Sequence, residues 1–134
     1  MKVLFVCVGN SGRSQMAEAI FNHVAPKNMQ AMSAGTRPAA RVSRKTVEVM
    51  REIGLDISTA KPKKLTPEMV EEADKIITMG CLNESSCPAF LLKDKTKLDD
   101  WKIEDPKDLS LEKVREIREQ IADKVMDLIS ELMR

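Results

Sequence analysis

No tyrosine occurs anywhere in the chain, and with one tryptophan and three phenylalanines the aromatic share is only 3%. Modules that bind single-stranded nucleic acid stack bases on aromatic rings, so this composition argues against that class. One histidine, His23, and the lack of any Cys-x-x-Cys pair leave no recognisable zinc-ligand set. Neither sign of charge dominates: 22 Lys+Arg stand against 21 Asp+Glu, which favours neither a nucleic-acid nor a membrane partner. Long apolar runs are missing too. The opening MKVLFVCVGN turns polar after a few residues, too soon for a signal-peptide core or a membrane span. The expected compartment is the cytoplasm. There, three cysteines are more naturally catalytic, metal-binding or inert than a disulfide framework.

At 134 residues the chain fits one domain, 1–134, large enough to bury a core without disulfides or metal. Residues 2–6 (KVLFV) are uniformly apolar, as in a strand covered on both faces. Further strands are expected at 29–34, 75–79 and, more weakly, 98–103. Helical spacing appears from Ser14 to Val24 and over 43–53, with Val47, Met50 and Ile53 inward before Gly54. Thr66-Pro67 opens a helix to Ala73, and Val114, Ile117, Ile121, Val125, Leu128 and Leu132 mark a long amphipathic helix. Strands alternating with helices predict an α/β fold: a four-stranded parallel sheet with helices on both faces. In the flavodoxin-like strand order 2-1-3-4, ligands bind beyond the carboxyl ends of strands 1 and 3. Cys7, Cys81 and Asp105 follow strands 1, 3 and 4, so the topology brings them to one edge.

Between Cys7 and Arg13 lie Val8, Gly9, Asn10, Ser11 and Gly12. A loop of that size, joining a strand to a helix, can wind its backbone N–H groups around a tetrahedral oxyanion, and the helix adds its positive end. Gly9 and Gly12 permit backbone angles other residues avoid, and Asn10 tolerates a left-handed conformation while bonding back into the loop. Arg13 can grip two oxygens at once. A thiol beside a helix N-terminus and a cation is the setting that makes cysteine nucleophilic, and Ser14 is placed to hydrogen-bond its sulfur.

CVGNSGRS followed by QMAEAIF resembles the phosphatase loop of the low-molecular-weight protein tyrosine phosphatase superfamily. SAGT at 33–36, GLDIS at 54–58 and Asp105-Pro106 fit the same pattern in order, so the likeness spans the whole chain. It implies Cys7 as nucleophile, Arg13 as transition-state clamp and Asp105 as general acid.

That superfamily divides into phosphatases and thioredoxin-coupled arsenate reductases. The phosphatases typically carry tyrosines after the Asp-Pro, where this chain has Lys107 and Asp108. The reductases carry two further cysteines after the third strand, as in MGCLNESSCPAF with Cys81 and Cys87. The resemblance therefore implies a three-cysteine relay. Cys7 takes arsenic, Cys81 attacks Cys7, and Cys87 takes over the disulfide for a thioredoxin-like dithiol, with no bound cofactor. Residues 81 and 87 would lie ~9 Å apart on a helix. A disulfide spans at most about 7 Å between Cα atoms, so a switch loop is expected there. Gly12 stands where relatives commonly have another cysteine. Some reductases bind potassium through positions matching Asn10, Glu18 and Ser33; here Lys61, Lys63 and Lys64 offer an ammonium instead, and no metal is expected. The sequence thus reads as a cytoplasmic, monomeric arsenate reductase, with a small phosphatase using Cys7, Arg13 and Asp105 as the alternative. A non-catalytic oxyanion sensor would need neither Asp105 nor resolving thiols.

Overall fold

The computed structural model describes residues 1–80 and 87–134. In chain order the elements are β1 (Lys2–Cys7), α1 (Arg13–Val24), β2 (Gln30–Gly35), α2 (Arg44–Arg51), α3 (Pro67–Glu72), β3 (Lys75–Met79), β4 (Leu98–Asp100) and α4 (Leu111–Leu132). Short 3-10 turns occupy Ala89–Leu92 and Lys95–Lys97. The four strands are parallel and ordered β2-β1-β3-β4.

Both faces of the sheet are covered, which is why β1 and β3 are apolar at almost every position. On one face Phe5, Cys7, Ile77 and Met79 pack with Met16 and Phe21 of α1, Val49 and Met50 of α2, and Ile121 and Val125 of α4. Phe5 lies at its centre, 6.0 Å from the Phe21 ring and 5.7 Å from Trp101. On the other face Leu4, Val6 and Ile76 pack with Leu65, Val70 and Leu91. Two N-caps hold as local chemistry dictates: Thr66 Oγ1 accepts from Met69 N and Ser110 Oγ from Lys113 N.

Three expectations need correction. Ile53 does not point inward: α2 ends at Arg51, Ile53 is exposed, and Val49 fills the core position instead. Val24, at the end of α1, is likewise exposed. The fourth strand stops at Asp100 rather than at residue 103. Trp101 N still bonds Thr78 O, but Ile103 N then bonds Trp101 O in a tight turn that takes the chain off the sheet, with both side chains in the core shared with α1 and α4. That departure carries residues 103–105 over the end of the sheet toward the loop after β1.

Candidate functional site

β1 and β3 run side by side, with Cys7 level with Met79 and, on the other side, with Gly35. The chain after Cys7 circles back into α1, and its carbonyls face outward. Cys7 O accepts from Thr36 N, Val8 O from Arg37 N, Gly9 O from Ala39 N, and Ser11 O from Ser43 N. In a trans peptide the N–H points opposite to the preceding C=O, so tying down these carbonyls turns the following N–H groups inward. One of them is seen to do so: Asn10 N donates to Cys7 Sγ at 3.2 Å. Gly35 makes this approach possible, since a Cβ there would lie 2.6 Å from Val8 O.

Cys7 is 2% exposed, and its sulfur lies 2.8 Å from Ser14 Oγ. Asn10, in the left-handed region at φ 52°, is the hub beneath it. Its Nδ2 donates to Ser14 Oγ (2.7 Å) and Ser33 Oγ (3.0 Å), while Oδ1 accepts from Gln15 Nε2 (3.1 Å) and Lys63 N (2.9 Å). Every polar valence of that buried amide is used. Ser33 in turn donates to Glu18 Oε1, and Lys63 Nζ stands 3.9 Å from the same carboxylate oxygen. The lysine ammonium is therefore within ion-pair distance of Glu18.

Arg13 begins α1 and is 7% exposed. Its Nη1 donates to Ile103 O at 3.0 Å, and Nη2 lies 3.7 Å from Asp105 Oδ2. The Asp105 carboxylate is exposed at the mouth and accepts from Lys107 N. A cavity of ≈ 650 Å³ opens over these groups, floored by Cys7 and the loop and walled by Arg13, Asp105 and Pro106. The arrangement suits a tetrahedral oxyanion held by loop amides and a forked guanidinium, with a thiol beneath and a carboxyl at the entrance.

Cys81 lies outside the described residues, as does the switch loop expected over 81–86. Cys87 is half-buried and packed with Leu4, Val6 and Leu91, against the sheet face opposite Cys7, and it does not line the cavity. Sequence reasoning missed Gln15, the Ile103 carbonyl and Gly80, which ends β3 against Arg13 Nη1. Gln15 looks like any helical polar residue, and a carbonyl leaves no mark in sequence. A glycine closing strand 3 was the one available signal.

The low molecular weight phosphotyrosine protein phosphatase family model matches residues 2–134. A Halobacterium salinarum protein provisionally named arsenate reductase is 37% identical over 134 residues, covering 95% of this chain and 89% of its own. The low molecular weight protein tyrosine phosphatase of T. tengcongensis superposes with a TM-score of 0.88 at 32% identity, over 98% of this chain and 99% of that one. A thioredoxin-dependent arsenate reductase of Corynebacterium glutamicum superposes with a TM-score of 0.80 at 35% identity, over 98% of this chain and 61% of that one. By sequence and by fold alike, the chain belongs to the low molecular weight phosphotyrosine protein phosphatase family.

Proposed function

We propose that this protein is a single-domain enzyme, spanning 1–134, that reduces arsenate to arsenite. The supporting observation is the Cys7 sulfur, held by Ser14 and Asn10 N beneath an amide-lined loop and beside Arg13. The names of its relatives point to arsenate. In this reading the Cys7 thiolate attacks arsenic, and an arsenate oxygen leaves as water after taking a proton from Asp105. The Cys81 thiolate then attacks Cys7 Sγ. The S–As bond breaks, its electron pair stays on arsenic, and arsenite departs, leaving a Cys7–Cys81 disulfide. Cys87 attacks Cys81, releasing the Cys7 thiolate and forming Cys81–Cys87. Thioredoxin, or a similar dithiol protein, returns the two electrons.

Arg13 supplies a fork that matches two oxygens of the anion, and the loop amides Val8 to Ser14 neutralise the rest. A reducing, cytoplasmic compartment suits a cycle that restores thiols, and no helix among the described residues is long and apolar enough to cross a membrane. The reading takes the enzyme as a monomer that binds no cofactor of its own.

Phosphomonoester hydrolysis is a second activity of the same loop, favoured by Asp105 at 3.7 Å from Arg13, where it can protonate a leaving oxygen. The deciding experiment measures arsenite release and p-nitrophenyl phosphate hydrolysis by the purified protein, each with and without thioredoxin. Multiple turnovers of arsenate only when thioredoxin is present are expected. Ester hydrolysis without any arsenite release would replace the reductase reading with the phosphatase one.

A further inference from the structure

We propose that Lys45 of α2 is a positioning residue: it clasps the turn that carries Asp105 and so holds the proton donor over the oxyanion loop. The proposal rests on Asp105 being that donor. A general acid acts within about 2.6–3.2 Å of the oxygen it protonates, and a misplacement of ~1 Å can cost ~10²-fold. Whatever fixes Asp105 is therefore part of the site.

The carboxylate does little to fix itself. Its side chain is 59% exposed, and its partners among the described residues are Lys107 N, in the same turn, and Arg13 at 3.7 Å. Asp105 thus goes where residues 105–109 go. That stretch lies between β4 and α4, outside both. Asp108 takes the left-handed region at φ 64°, which Asp tolerates better than most residues, and Leu109 N closes the turn on Pro106 O. These features shape the turn without tying it to the rest of the molecule.

Three contacts tie it down. Before the turn, Ile103 O accepts from Arg13 Nη1. In its middle, Pro106 lies on the bare backbone of Gly12, where a Cβ would stand 3.0 Å from the proline Cγ. At its far end, Lys45 Nζ donates to Leu109 O. The first two anchors belong to the oxyanion loop. Lys45 comes from α2 and lines the cavity together with Asp105, Pro106, Lys107 and Asp108. The Leu109 side chain packs at the margin of the core, but its carbonyl precedes Ser110, the N-cap of α4, so the helix leaves that carbonyl free for the lysine.

Local chemistry gives no other reason for a lysine there. It stands in the first turn of α2, where a cation opposes the positive end of the helix dipole, and that turn holds no acidic residue to offset it. What the ammonium meets is a neutral carbonyl 64 residues away. The tie to the turn, not the helix, accounts for the position.

The test compares Lys45→Met with Lys45→Arg, which keeps a donor for Leu109 O, on aryl phosphates of graded leaving-group pKa. In Lys45→Met, kcat/KM for the poorest leaving group should fall about tenfold, a part of the ~10²–10⁴-fold that a general acid supplies. For 2,4-dinitrophenyl phosphate, which needs little protonation, the loss should stay below about threefold. The plot of log kcat/KM against leaving-group pKa therefore steepens in Lys45→Met and keeps its wild-type slope in Lys45→Arg. A double-mutant cycle checks the route. In an Asp105→Ala background, Lys45→Met should cost nothing further on p-nitrophenyl phosphate, or on arsenite release if the wild type hydrolyses no ester. An equal loss on every ester, or an additive cycle, would give the lysine a general role in attracting anions and overturn the proposal. If Asp105→Ala steepens the plot and Lys45→Met does not, the role of Lys45 falls alone. If Asp105→Ala leaves the slope unchanged, the reading of Asp105 as donor falls and the proposal with it. A wild type with neither activity would remove both.

Discussion

Gly80 is the seat of Arg13. At φ +95° it closes β3, and a Cβ on it would lie 2.4 Å from Arg13 Nη1 and 3.2 Å from Cζ. The guanidinium thus lies against bare backbone, with Nη1 donating to Ile103 O and Nη2 3.7 Å from Asp105 Oδ2. Any side chain at position 80 must push the clamp out of the oxyanion loop.

Gly80→Ala should therefore lower kcat/KM for arsenate and p-nitrophenyl phosphate by about 10²-fold, mostly through KM. Its left-handed backbone adds a stability loss of roughly 1–3 kcal/mol. A double-mutant cycle separates the two effects. In an Arg13→Ala background the kinetic penalty of Gly80→Ala should nearly vanish while the stability loss remains. A full, additive kinetic penalty there would show that Gly80 does not act through Arg13.

Asn10→Ala removes four hydrogen bonds at once and leaves Ser14, Ser33, Gln15 and Lys63 N seeking partners. Urea denaturation should report a loss of roughly 2–4 kcal/mol. Activity should fall even in the fraction that remains folded, because the loop amides lose their support. A variant with wild-type stability would remove Asn10 from the centre of the loop.

Asp105→Ala should slow p-nitrophenyl phosphate hydrolysis less than it slows esters with poorer leaving groups, for which general acids contribute ~10²–10⁴-fold. Arsenate reduction should suffer least, since water readily protonates a departing hydroxide. Comparing rates across phosphate esters of graded leaving-group pKa checks this. Equal losses on every ester would argue for a role other than proton donation.

Cys87→Ser should release about one arsenite per protein and stop, even with thioredoxin in excess, and mass spectrometry of the spent protein should find Cys7 joined to Cys81. Steady turnover would dismiss the third thiol from the mechanism.

Glu52 ties α2 to α4 by accepting from Arg115 Nε and Nη2 and from Arg118 Nη1. The hydrogen bond from Arg115, helped by Arg118, holds its carboxyl below the ordinary 4.5. A depressed folded-state pKa stabilises the fold above the unfolded value and loses that contribution as pH falls through the folded one. Calorimetry from pH 7 to 3 should find wild type melting above Glu52→Gln at neutral pH, with the gap closing below about pH 4.5. A gap unchanged at pH 3 would assign it to something other than the carboxylate charge.

The sheet order was legible in the sequence because apolar runs ending in glycine or polar loops are dictated locally, and right-handed crossovers leave few ways to connect them. The Cys7–Arg13 loop was legible for the same reason: its glycines, Asn10 and Ser14 act within eight residues of one another. Local patterning failed where burial is a collective matter. Ile53 has helical spacing but lies past the end of α2, and Trp101 and Ile103 look like strand yet leave the sheet to fill the α1/α4 core. The partners that hold the site were decided by tertiary structure alone. Ile103 O and Gly80 meet Arg13 across 90 and 67 residues, and residues 36–43 tie down the loop carbonyls. Backbone groups are the same in every residue, so which carbonyl faces which guanidinium is set by where the packed sheet and helices leave them.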